Sequence, residues 1–184
     1  MQIFIMRHGE AANIEGEDSL RPLTEQGMLE TEKMGLWLAR RNPALMNVFV
    51  SPYLRAQQSC ANVAKVLQES CLLNGIIPEI LNFITPSGSA AQVHDFIDGL
   101  FHESDSLIEN IHSDESNSDE SNSDEDKAIL IVSHMPFVSY LVGELTGSMN
   151  TPIFSTGAIA IIDYDIKQMQ GQLVSMVSPA KVHI

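Results

Sequence analysis

Three places in this 184-residue chain put chemically capable side chains at the end of an apolar run. Arg7-His8-Gly9 closes the run Gln2-Ile3-Phe4-Ile5-Met6. Ser51-Pro52 closes Val48-Phe49-Val50, with Arg55 just beyond. Ser133-His134 closes Ala128-Ile129-Leu130-Ile131-Val132. Each run reads as a short buried strand. Open α/β sheets gather their ligands at the carboxyl ends of their strands, so residues far apart in sequence can converge there. One such histidine is unremarkable. Two of them, accompanied by two arginines, are hard to explain as packing, because a buried unpaired arginine is costly. The guanidinium fork matches phosphate oxygens bidentately. No cysteine or carboxylate set stands with the histidines, and two histidines alone make a poor zinc site, so neither metal nor cofactor is expected. The chemistry that fits is attack by a histidine on a phosphoryl group held by arginines.

Elements that can position these groups follow in order. A polar loop, Ala11 to Ser19, leads to Thr24, a natural N-cap, with Glu25 at the positive helix start. Met28, Leu29, Met34, Trp37 and Leu38 supply an apolar face up to about Arg41, and Asn42-Pro43 ends the helix. A second helix carries Leu54, Ala61, Ala64 and Leu67. Ile76 to Leu81 reads as a third strand. A third helix runs from about Ser89 to Phe101, and a fourth from Pro136 to Gly147. Ala158 to Tyr164 and Gln172 to Val177 read as two closing strands. Strands alternating with helices imply a single α/β domain over 1–184, three-layer αβα, with a mainly parallel sheet covered on both faces.

The formal net charge is −14, which argues against nucleic acid or an anionic membrane as partner. Ten of those charges fall between Glu103 and Asp126, where no Lys or Arg occurs, and the remainder carries only −4. Ser113-Asp114-Glu115-Ser116-Asn117 is repeated at Ser118 and begun again at Ser123. Such a sequence buries too little apolar surface to offset its ordering entropy, so a disordered insert is expected at about 103–126. The repeat lacks the glycine and closing glutamate of an EF-hand loop. No apolar run approaches the ~20 residues of a membrane span, and no secretory signal is read at the N-terminus. Cys60 and Cys71 fall on one predicted helix, roughly 16 Å apart at the helical rise, too far for a disulfide. Two buried thiols in a reducing compartment, the cytoplasm, are expected.

Arg7-His8-Gly9, Ser51-Pro52-x-x-Arg55-Ala56 and Ser133-His134, in this order, resemble the histidine phosphatase superfamily, with its phosphoglycerate mutase-like fold. Arg21-Pro22-Leu23-Thr24-x-x-Gly27 fits it as well. The short length, Met6-Arg7-His8-Gly9 and Ser133-His134-Met135-Pro136 resemble most the SixA-type phosphohistidine phosphatases. Phosphoglycerate mutases usually carry glycine after the second histidine and a long insertion before it, and both are missing here. The acidic repeat departs from the SixA-type pattern.

The resemblance implies roles. His8 attacks phosphorus and is transiently phosphorylated, with its other nitrogen donating to a backbone carbonyl. Arg7 and Arg55 clamp the phosphoryl oxygens, His134 adds a hydrogen bond, and Arg21 is a supporting or substrate contact. Many members also use a carboxylic acid after the third strand to protonate an alkoxide. Here Leu81-Asn82-Phe83-Ile84-Thr85 holds no acid, and Glu79 falls within the predicted strand. An alkoxide needs that proton, worth ~10²–10⁴ in rate. An imidazole, whose conjugate acid has a pKa near ~6.5, leaves without it. The expected substrate is therefore a phosphohistidine-bearing protein of a phosphorelay or phosphotransferase pathway. A broad small-molecule phosphomonoesterase and a non-catalytic phosphoprotein-binding module are the alternatives.

Overall fold

The computed structural model describes residues 1–73, 75–109 and 127–183, with residues 102–109 described by their backbone alone. Six strands form one sheet: β1 (Gln2–Arg7), β2 (Ala44–Val50), β3 (Glu79–Ile80), β4 (Lys127–Ser133), β5 (Ile159–Asp165) and β6 (Gln170–Val177). Their order is β3-β2-β4-β1-β5-β6. β3, β2, β4 and β1 run parallel, and β5 lies antiparallel to both β1 and β6. The helices are α1 (Glu25–Arg41), α2 (Leu54–Glu69), α3 (Ala90–Glu109) and α4 (Phe137–Thr146). Among the described residues no helix is long and apolar enough to cross a membrane.

The strand period of two builds both faces of the sheet. In β1, Ile3 and Ile5 join the core that α3 and α4 cover, where Val93, Ile97, Phe137 and Leu141 lie. Phe4 and Met6 join the core of Met34, Leu38, Val63 and Leu67, under α1 and α2. β4 divides in the same way, Ile129 and Ile131 against Leu130 and Val132. A strand buried on both faces reads as a continuous apolar run, which is why β1 and β4 were visible in the sequence.

Several boundaries differ from the sequence reading. β3 is only Glu79–Ile80, an exposed edge pair, because it borders β2 alone. α2 ends at Glu69, and Cys71 follows in a turn with φ of 59°. Cys60 is buried as expected, but Cys71 is exposed and off the helix. α3 continues to Glu109, so the first residues of the acidic segment are helical. Leu107 and Ile108 repeat the apolar spacing of Leu100 and Phe101 one heptad on, which favours continuation. The rest of the predicted 103–126 insert, with the whole acidic repeat, lies outside the described residues.

On α1, Thr24 caps as expected, its side chain accepting from the Gly27 N–H at 3.0 Å. Met28 and Leu29 do not face the core, being 41% and 60% exposed. The buried stripe there is Gly27, Thr31, Met34, Gly35 and Leu38. Small residues at a spacing of four let α1 approach α2 and the loop after β1. A Cβ on Gly35 would meet the Val63 Cα and the Val66 side chain at 3.2 Å, and one on Gly27 would sit 2.1 Å from the Glu10 carbonyl oxygen.

Gly27→Ala tests this seam. Helix propensity alone would favour alanine by about 1 kcal/mol. The clash is with backbone, which cannot swing aside, and overpacking of this kind costs about 1–3 kcal/mol. The expected outcome is a lower urea midpoint with an unchanged m-value. A rise in the midpoint would show that the loop gives way freely.

Candidate active site

β1, β2 and β4 end side by side, and their backbones are clamped just beyond. The His8 N–H donates to the Ser133 carbonyl at 2.9 Å and the Ser51 N–H to the Val132 carbonyl at 3.1 Å. The Arg7 N–H bonds the Ala158 carbonyl at 3.0 Å, and the His8 carbonyl accepts from the Gly157 N–H at 3.0 Å. A serine absent from the sequence reading ties this edge to α2. Ser59 Oγ accepts from the Gly9 N–H at 3.0 Å and donates to the Arg55 carbonyl at 2.7 Å. Gly9 is required at that point, since a Cβ would stand 2.5 Å from the Gly27 carbonyl oxygen.

His8 lies at the centre, buried. Its Nδ1 is 2.6 Å from the Gly9 carbonyl oxygen, which can only accept, so Nδ1 carries the proton. The lone pair is thereby left on Nε2, where it accepts from Arg55 Nε at 3.2 Å. Burial and the charges of Arg55, Arg7 and Arg21 push the imidazole down to about 4, against the opposing pull of the Gly9 bond. At neutral pH His8 is a neutral imidazole whose Nε2 lone pair faces Arg55.

His134 lies beside it, the two ring centroids 5.0 Å apart. Its Nε2 is 2.6 Å from Ser51 Oγ. That oxygen also accepts from the Tyr53 N–H at 3.4 Å; in the tautomer where its own proton goes to the imidazole Nε2, the histidine's proton sits on Nδ1. Burial, then His8 and Arg55, bring His134 down to about 3. The Tyr53 ring packs against both His134 and the Arg55 guanidinium, each at 4.9 Å.

Arg55 is buried and reaches outward as well as to His8. Its Nη1 donates to the Asp18 carbonyl at 2.6 Å and its Nη2 to Asp18 Oδ2 at 2.9 Å. Arg7 donates through Nη1 to the Phe154 carbonyl at 2.6 Å. Among the described residues, two buried side-chain nitrogen or oxygen atoms have no hydrogen-bond partner: Arg7 Nε and His134 Nδ1. Both belong to this cluster. Unpaired buried donors are costly, and a site that receives an oxyanion is one place where they are tolerated.

Arg7, His8, Arg55 and His134 thus meet at one sheet edge. Arg21 stands outside them, bonding the Ala12 carbonyl through Nε at 2.8 Å and Asp18 Oδ1 through Nη1 at 3.0 Å. Its partner Asp18 has no place in the sequence motifs, and the readable signal for it is an acid three residues before Arg21. The segment after β3 supplies no acid, and Glu79 is exposed within that strand.

Residues 3–80 match the family model of the Histidine phosphatase superfamily (branch 1). Over 165 residues the chain is 34% identical to the phosphohistidine phosphatase SixA of Escherichia coli K12, covering 90% of this chain and 86% of that protein. It is likewise 34% identical to the SixA homolog of Haemophilus influenzae, covering 90% and 89%. A solved structure of the protein histidine phosphatase SixA complexed with tungstate superposes with a TM-score of 0.78 at 33% identity, over 98% of each chain.

The two depressed imidazoles predict an acid-sensitive fold. Unfolded histidine takes a proton near pH 6.5, whereas folded His8 and His134 resist until about 4 and 3. The unfolded state therefore binds more protons as pH falls below 6.5, and stability drops through that window. Each histidine should cost on the order of 2 kcal/mol between pH 7 and pH 5. Denaturant titrations across that range check this, with His8→Gln and His134→Gln each flattening the slope.

Proposed function

The chain belongs to the histidine phosphatase superfamily, and on that premise we propose that it is a phosphohistidine phosphatase working through a phospho-His8 intermediate. The observation that carries the reading is the His8 imidazole, with Nδ1–H fixed on the Gly9 carbonyl and Nε2 turned toward Arg55. In the first step Nε2 bonds to phosphorus and the phosphorus–nitrogen bond of the substrate histidine breaks. In the second, water attacks phospho-His8 and releases orthophosphate, restoring the free imidazole.

Arg55 gives up its bond to His8 and takes phosphoryl oxygens, together with Arg7, whose Nε has no protein partner. His134 donates from Nδ1, its orientation set by Ser51, and stabilises the charge that builds on those oxygens. Arg21 acts through Asp18. The lack of an acid in Leu81 to Thr85 supports an N–P over an O–P substrate, since imidazole is the better leaving group. The substrate in this reading is another protein's phosphohistidine, on a phosphotransfer domain or carrier. The whole chain acts as one domain, with the acidic stretch as a connector between α3 and β4. A reducing, cytoplasmic setting suits the free thiols of Cys60 and Cys71, and burial pushes the Cys60 thiol up to about 12, too high to react.

Wild type and His8→Ala incubated with a phosphohistidine-bearing carrier and with p-nitrophenyl phosphate test the reading. Wild type should clear the carrier and leave the ester nearly untouched, and His8→Ala should do neither. Fast ester turnover with an untouched carrier would sink the reading. No turnover of either would favour a binding module.

Two finer outcomes are expected. His134→Ala should lower kcat by ~10²–10³, the usual loss of one oxyanion donor. Because His8 must be neutral to attack and titrates near 4, kcat/KM should hold well below pH 6.5, which a pH–rate profile of the free enzyme reads directly.

A further inference from the structure

Asp18 sits on the short 3-10 turn Asp18–Leu20, bonded to Arg55 through its carbonyl and carboxylate. Its side chain is 55% exposed, whereas that of Arg55 beneath it is 6% exposed. A substrate arriving from solvent meets Asp18 before it meets Arg55. Three bonds fix the residue there: its carbonyl and Oδ2 on Arg55, and Oδ1 on Arg21. The two arginines hold its carboxyl below the usual range, so it is an anion.

We propose that Asp18 accepts the far ring N–H of a phosphohistidine leaving group, and thereby selects phosphohistidine over phosphate esters at this site. The proposal rests on the function inferred above. When phosphoryl oxygens recruit the Arg55 guanidinium, Asp18 loses that partner but stays tethered by Arg21. Its carboxylate has lone pairs to spare and stands exposed beside Arg55, within reach of a leaving group that projects toward solvent. The phosphoryl dianion is common to both substrates, but an ester brings to that position a developing alkoxide and no N–H donor, so the carboxylate gives it no help. Phosphohistidine protonated on its far nitrogen brings an N–H donor with positive charge. The N–P bond then breaks with its electron pair passing to the ring nitrogen. The departing group is a neutral imidazole that keeps the far proton, taken earlier from solvent. No general acid is needed on the enzyme, in accord with the segment after β3 that holds none.

The test compares wild type, Asp18→Asn and Asp18→Glu on the phosphohistidine carrier and on p-nitrophenyl phosphate. Asp18→Asn should lower the ratio of kcat/KM for carrier over ester by ~10- to 100-fold, the worth of a hydrogen bond to a charged group. It should also move the alkaline limb of carrier turnover to lower pH, because the substrate ring loses its proton sooner without the carboxylate. Asp18→Glu should restore most of the ratio. Equal losses on both substrates, or an unchanged ratio, would overturn the proposal and leave Asp18 as a residue that only positions Arg55. A wild type inactive on the carrier would overturn the functional reading, and this proposal with it.

Discussion

The site depends on keeping an imidazole neutral inside the protein. His8 is buried beside Arg55 and Arg7, with the charge of Arg21 felt from farther out, and the loss of water and the surrounding positive charge both disfavour its protonation. The Gly9 carbonyl decides which nitrogen carries the single proton. A charged ring could not attack phosphorus, and a neutral ring with the other tautomer would present a proton where a lone pair is required. Burial, which usually threatens a polar group, here prepares one.

That condition accounts for much of the surrounding structure. Arginines this close to a buried ring need partners of their own, and backbone carbonyls supply them: Phe154 for Arg7 and Asp18 for Arg55. The loops after β1 and before β5 are therefore tied to the site by its cations. Glu30 extends the tie, with Oε2 accepting from the Glu10 N–H at 2.9 Å and Oε1 from Thr156 Oγ1 at 3.0 Å. The narrow seam of Gly9 and Gly27 brings α1 close enough for this. The carbonyls take part of each guanidinium, and Arg7 Nε is still without a partner in the protein.

The two layers of helices divide the labour. α3 and α4 cover one face with large apolar side chains, and β4 passes through the centre between β2 and β1. α1 and α2 cover the other face and also carry chemistry, since Arg55 and Ser59 lie on the first turns of α2. One short helix segment thus holds both a phosphoryl-binding candidate and the serine that anchors the β1 loop. The sheet's central parallel strands make this possible by ending at a common edge.

The layering and the four members of the cluster, Arg7, His8, Arg55 and His134, are legible in residue order alone. Runs buried on both faces can hardly hide: β1 and β4 announce themselves by continuous apolar residues and β2 by its last three, Val48 to Val50, although it starts at Ala44. Arg7, His8, Ser51 and His134 stand where those runs stop, with Arg55 following in the first turn of α2. What periodicity cannot express emerges only on folding. Asp18 lies in an exposed 3-10 turn with no apolar pattern; its pairing with Arg21 is local, but only folding lays it over Arg55. The α1 seam of Gly27, Thr31 and Gly35 was masked by Met28 and Leu29, because an apolar count ranks large side chains above small ones while close helix approach demands the reverse. β3 shrank to two residues and Cys71 left its helix for a like reason. At a sheet edge and in a turn, neighbours and backbone angles settle the outcome, and local composition records neither.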